Sequence, residues 1–248
     1  MFRASRIGWL PFEGLLRQKD IDFQWEIIVA EERDHRPFTE KRIREYQRGL
    51  AKLGCVRIKY LSLGSWIPLA AKWRLLAQHM SSSSEVGVLQ AADAFPQPHR
   101  LVTNYKAIAG GAHWSQSPFY LLYDIRSDRS VVLYRRKGNS VKGNRHPCGE
   151  NMAVSSNLLR RLPRSVVRRG VDWWLYQRTS RMVPRMIVAW DMSDDWKYGM
   201  NTVGFNYISR YGNTFRDPKP PYGWPPFDMR STIPEPVMVR LGSLRKFL

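Results

Sequence analysis

Apolar positions in the first hundred residues change period in a regular order. Leu10 to Arg17 carries helical spacing (Leu10, Gly14, Leu15), and Trp25 to Ala30 is a short β-branched run suited to a buried parallel strand. Phe38 to Leu53 repeats apolar residues at Ile43, Tyr46, Leu50 and Leu53 and then meets Gly54, a natural residue just past a helix end. Val56 to Leu61 reads as the next strand, Leu69 to Met80 as the next helix, and Val86 to Gln90 as a third strand ending before Asp93. The serine run Ser81 to Ser84 is a turn between them. Strand, helix, strand, helix, strand predicts an α/β fold with an open, mostly parallel sheet, helices on both faces and right-handed crossovers.

The pattern then changes. Pro96 and Pro98 suit a turn into a helix within FPQPHRL. Phe119 to Ile125 and Ser130 to Arg136 are spaced as an antiparallel strand pair. Leu158 to Arg161 starts a helical stretch that Pro163 interrupts, Gly170 to Met182 reads as a helix, and Met186 to Trp190 as a late strand. From Asp217 the chain is rich in Pro and Gly (PKPPYGWPPF), which predicts an irregular tail. One domain over residues 1–216 and a tail over 217–248 are expected.

Charge adds a second theme. The 248 residues carry a formal charge of +19, and the segment from Arg126 to Arg185 holds thirteen Arg and two Lys against Asp128, Glu150 and Asp172. Such a field attracts polyanions: nucleic acid, anionic lipid headgroups or a diphosphate substrate. A basic nucleic-acid-binding protein with purely structural carboxylates is therefore one reading, and the abundant Trp and Tyr could stack on sugars or unpaired bases.

Other classes are disfavoured. No GxGxxG, P-loop, GxSxG or HExxH string occurs. Cys55 and Cys148 belong to no metal-spaced pattern, so structural thiols in a reduced, cytosolic setting are expected. No stretch approaches eighteen apolar residues, and the first residues lack a secretory apolar core, so neither a membrane span nor a signal peptide is expected.

Two apolar runs end on carboxylates: WEIIVAEE (25–32) and VLQAADAF (88–95). In an open α/β sheet ligands bind at the carboxyl ends of the strands, which makes Glu31, Glu32 and Asp93 candidates to face a ligand. A third acid, Asp172 in RRGVDWWL (168–175), stands at a helix start, where it could equally serve as a cap. Glu31 and Glu32 could likewise be polar residues at a strand's solvent edge.

The order of these strings, with GENMAVSSNLLRRLP (149–163), resembles family-two type glycosyltransferases of the GT-A fold over roughly residues 5 to 215. That resemblance implies an inverting enzyme that moves a sugar from a nucleotide-sugar donor to an acceptor hydroxyl. It implies a nucleotide-binding part over about 1–95 and an acceptor part over about 96–216. Glu31 takes the position of an acid that binds the nucleoside. Asp93 stands where relatives carry an Asp-rich cluster for a divalent ion, Mn²⁺ or Mg²⁺, bridging the diphosphate; here the cluster is reduced to AADAF. Asp172 takes the place of the acceptor-side base, with Val171 where relatives have a second acid. Asn151 falls in a turn lining the donor sugar, and Lys72 and Arg6 match basic positions near the donor. Only five residues precede Arg6, so the edge of the nucleotide pocket is expected to be built differently or incompletely.

NTVGFNYIS (201–209) is similar to a string in which some relatives supply a histidine ligand, but Thr202 and Val203 occupy that place. His35, His79, His99, His113 and His146 lack metal spacing; His113, in GGAHW, is the one to test as a replacement. The thinned acid cluster also fits a degenerate transferase fold that binds a sugar nucleotide without turnover. For an active enzyme, the Arg-rich segment suggests an acceptor that is itself polyanionic.

Overall fold

The computed structural model describes residues 8–32, 40–116, 119–124, 129–134, 152–162, 171–190, 200–204 and 233–244. The expected alternation is present in the first half: α1 (Trp9–Leu15), β1 (Trp25–Glu32), α2 (Glu40–Ala51), β2 (Cys55–Leu63), α3 (Leu69–Gln78) and β3 (Val86–Val88). There follow β4 (Ala94–Phe95), α4 (Arg100–Ala109), β5 (Trp114–Gln116), β6 (Phe119–Asp124), β7 (Arg129–Tyr134), β8 (Met152–Ser155), α5 (Ser156–Arg161), α6 (Val171–Met182), β9 (Val188–Trp190), β10 (Met200–Gly204) and α7 (Glu235–Gly242). None of the described helices is long and apolar enough to cross a membrane.

The β1–α2–β2 unit follows directly from its sequence. Leu50 and Ile43 bury one stripe of α2, and Gly54 then adopts φ +83, a left-handed conformation that costs glycine nothing. A Cβ there would meet the Phe23 carbonyl oxygen at 2.9 Å. The Gly54 carbonyl accepts a bond from the Trp25 amide, and the Trp25 indole donates to the Leu53 carbonyl at 2.7 Å, so the end of α2 fixes the start of β1. β1 and β2 then pair in parallel from Trp25↔Cys55 to Glu32↔Leu63.

The sheet departs from expectation. Among the described strands there is no open, mostly parallel sheet; they form β1–β2, a four-stranded β4–β10–β6–β7 and a four-stranded β3–β8–β5–β9. The last two are mixed: β8 lies between β3 and β5 and is antiparallel to both, while β5–β9 and β10–β6 are parallel. The fold is mixed α/β. β3 stops at Val88, short of the expected Gln90, because the buried Arg100 guanidinium takes the Leu89 carbonyl and the Gln90 side chain. Gly87 of β3 lets α5 approach, since a Cβ there would meet Leu159 Cδ1 at 2.1 Å. The expected antiparallel pair is present as β6–β7, in register from Phe119↔Tyr134 to Asp124↔Arg129.

The tail expectation is corrected. Within 217–248, residues Glu235–Gly242 form α7, whose Val237 and Leu241 are buried with Ile233 and Leu244 against Trp9, Leu10 and Phe12. Pro234 and Pro236 start this helix instead of breaking it, because a proline in the first turn lacks only an N–H that would have no intrahelical acceptor.

Two apolar cores position the candidate residues. The first joins α1, α2, α7 and one face of β1–β2. The second joins α3 (Ala70, Trp73, Ala77), β8 (Met152, Val154), α5 (Leu158, Leu159), Trp114, Leu89 and Leu175 of α6. Cys55 is a buried thiol, and burial pushes it up to about 11, which leaves it protonated and structural. Cys148 lies outside the described residues.

Candidate active site

Successive residues of a strand face opposite sides, so the two glutamates ending β1 separate. Glu31 follows Ile27 and Val29 onto the first core and is 7% exposed, with the Tyr60 hydroxyl of β2 donating to its Oε2 at 2.7 Å. Burial, then the hydrogen bond to Glu31 and the carboxylate's charge, push the Tyr60 phenol well above its ordinary range. Glu32 turns the other way and accepts from Lys72 Nζ of α3 at 2.7 Å. Lys72, expected near a donor, thus ties the first turns of α3 to the end of β1. In the loop between β2 and α3, at the same end of the strands, Trp66 presents a 57% exposed indole.

Asp93 lies in the turn between β3 and β4, and side chains from elsewhere hold that turn. Gln90 Nε2 donates to the Ala91 and Ala94 carbonyls at 3.0 and 2.8 Å, while Arg100, 4% exposed at the start of α4, donates to Gln90 Oε1 and the Leu89 carbonyl. Gln18 adds a staple behind it, donating to the Gln97 carbonyl at 2.6 Å and accepting from the Leu101 amide at 3.0 Å. Asp93 itself is half-buried; desolvation raises its carboxyl above the ordinary range, outweighing a bond from its own amide. A carboxylate held this way gains from any positive group a ligand brings.

Asp172 occupies the first turn of α6, half-buried. An acid there is favoured by the helix dipole, so a capping contribution is built into its position. The helix is fixed one turn on by Leu175, and Tyr176 meets Trp114 edge-on with centroids 5.5 Å apart.

The second core gathers the supports of these residues: Trp73 next to Lys72, Leu89 leading to Asp93 and Leu175 following Asp172 pack in one cluster. No hydrogen bond joins Asp93 to Asp172 among the described residues. Arg6 and Asn151 lie outside the described residues, as do His35, His146 and much of the Arg126 to Arg185 segment. Thr202 and Val203 sit in β10, register partners of Leu122 and Tyr123.

The fit of a divalent ion rests on its donors. Among the described residues no group of three or more His, Cys, Asp or Glu side chains is placed to hold a metal. Asp93 alone does not make a cage, and no step below runs through an ion. His113 is engaged elsewhere: its amide donates to the Ile187 carbonyl at 2.9 Å, its carbonyl accepts from Ser155, and Ile187 N lies 3.5 Å from its ring Nδ1.

Tyr60, Trp66, Gln90 and Arg100 were not legible as site residues. For Tyr60 the signal existed: in parallel strands of this register, a polar-tipped aromatic opposite Val29 can reach the acid two residues on. Arg100 gave none, because a buried arginine is rare enough that sequence favours exposure.

Among solved structures the chain is similar to HddC from Yersinia pseudotuberculosis, with a TM-score of 0.41 and 7% identity over 72% of this chain and 74% of that one. A likeness at that level says nothing of chemistry. No family model and no curated protein matches the chain.

Proposed function

We propose that the chain is a GT-A-like glycosyltransferase of family-two type that transfers a sugar from a nucleotide-sugar donor to an acceptor hydroxyl with inversion. The observation that carries this reading is Glu31: a buried carboxylate at the C-terminal end of the parallel β1–β2 pair, oriented by Tyr60.

In this reading Glu31 accepts bonds from a base N–H or ribose hydroxyls, and Trp66, exposed in the loop after β2, offers a ring face at the same end of the strands. The resemblance assigns Arg6 to the nucleoside and Asn151 to the donor sugar; both lie outside the described residues. Lys72, placed near the donor by the resemblance, pairs with Glu32 on the opposite face of β1 from Glu31 and fixes α3 to the end of that strand. The resemblance puts Asp93 at the diphosphate end, where a carboxylate meets phosphates favourably only with a cation between them; its turn is held by Arg100 and Gln90. Asp172 takes the proton of the acceptor hydroxyl as that oxygen attacks the anomeric carbon; the bond to the diphosphate breaks on the opposite face, and its electron pair leaves with the nucleoside diphosphate. A reducing, cytosolic setting accords with the buried Cys55 thiol.

The test is sugar-nucleotide hydrolysis or transfer with and without Mn²⁺. Asp172→Asn is expected to lower kcat about 10²-fold or more, and Asp93→Asn to weaken any dependence of donor turnover on Mn²⁺. Full activity in both variants removes the roles assigned, and no consumption of any donor by the wild type leaves a binding protein.

A further inference from the structure

The second core unit is almost free of acids. The helices and strands that share it with α6, namely α3, α5, β5 and β8, contain no Asp or Glu, and Asp172 is the single carboxylate of α6. The same elements carry Lys72, Arg74, Arg160, Arg161, Arg178 and Arg181, and Arg185 follows in the turn after α6. Arg178, Arg181 and Arg185 are exposed. No ion pair joins any of these three to a carboxylate among the described residues.

Their placement is ordered. α6 buries Leu175 and Thr179, which puts Arg178 and Arg181, three residues apart and so neighbours on the helix surface, on the outward side. The Arg178 guanidinium lies over the Trp174 ring at 5.2 Å, a cation–π contact that restricts its rotamers. Like charges held side by side weaken a fold unless an anion meets them. Planar guanidinium forks match phosphate oxygens two at a time.

We propose that this face of α6 and its following turn binds a nucleic-acid strand through its phosphates. A lipid surface fits less well, because insertion is driven by an apolar face, and the large apolar side chains described in this unit pack mostly into the core, apart from the exposed Leu69 and Ile187. Binding is independent of any transfer chemistry. That the strand is also the acceptor rests on the proposed function, with Asp172 at the head of the same helix.

The experiment is fluorescence anisotropy of labelled oligonucleotides, single-stranded and duplex, between about 50 and 200 mM salt. Each phosphate neutralised contributes about 0.7 (single strand) to 0.9 (duplex) to the slope of log K against log salt. Arg178→Gln/Arg181→Gln/Arg185→Gln is expected to flatten that slope by about 2 to 3. Lys41→Gln/Arg48→Gln/Lys52→Gln, an equal charge change at exposed positions on and just after α2, is expected to leave it unchanged. Equal flattening by both variants, absence of salt-dependent binding, or binding to phosphatidylserine vesicles but not to oligonucleotides overturns the proposal. Donor-induced stabilisation of the Arg triple variant, measured separately, distinguishes its failure from that of the transferase reading.

Discussion

The Tyr60 hydroxyl reaches across from β2 to hydrogen-bond Glu31 Oε2 at 2.7 Å, so the acid proposed to meet a nucleoside is oriented by the strand beside it. Removing that donor leaves a buried carboxylate oxygen less well satisfied. Tyr60→Phe is expected to cost about 1–3 kcal/mol at neutral pH, measured by urea unfolding.

The same pair has a pH signature. The folded state raises the Tyr60 phenol above its ordinary value of 10.0, so the native chain holds that proton more tightly than the unfolded one. Its contribution is complete below pH 10 and falls as pH rises from there toward the folded value. The stability gap between wild type and Tyr60→Phe should therefore narrow above pH 10; a gap that is flat or widens contradicts the coupling.

Glu26 gives the opposite sign at the other end of β1. Burial pushes its carboxyl up, but bonds from the Ser81 amide, Arg57 and the Ser84 hydroxyl together outweigh this and hold it below its ordinary value of 4.5. The stabilisation is present above that value and lost as pH falls through the folded one. Glu26→Gln should be less stable than wild type at pH 7 by about 1–3 kcal/mol, with the difference vanishing in acid.

Gly14 marks where α1 meets the segment after Asp93. A Cβ there would lie 2.5 Å from Pro96 Cδ and 2.6 Å from the Pro96 carbonyl oxygen, and backbone cannot rotate aside. Gly14→Ala is expected to destabilise by about 1–3 kcal/mol despite its better helix propensity. A neutral or stabilising result shows that this junction yields.

α7 tests whether the C-terminal segment is part of the core. Leu241 is fully buried whereas Val239 is 66% exposed. Leu241→Ala should cost about 2–5 kcal/mol and Val239→Ala under about 0.5 kcal/mol.

What the sequence made legible follows from how local each cause was. The β1–α2–β2–α3 run could be read because period, a β-branched strand and Gly54 act within a few residues. β5 and β8 could not: three or four residues such as Trp114-Ser115-Gln116 are strands only because β8 returns between β3 and β5. α7 was hidden by prolines that read as breakers. At the candidate site, acids after two strands pointed to Glu31 and Asp93 and an acid at a helix start to Asp172, yet the partner of Glu31 and the Arg100 clamp on the turn of Asp93 depend on long-range packing, which spacing does not encode.

The central claim is that the Glu31 end of β1 and β2 receives a nucleotide sugar. Thermal unfolding of wild type and Glu31→Gln against a panel of nucleoside diphosphate sugars, each with and without Mn²⁺, tests it most directly. A true donor at about 100 times its Kd should stabilise the wild type by about 2.7 kcal/mol and the variant by clearly less. No stabilisation by any donor, or equal stabilisation of both proteins, contradicts it.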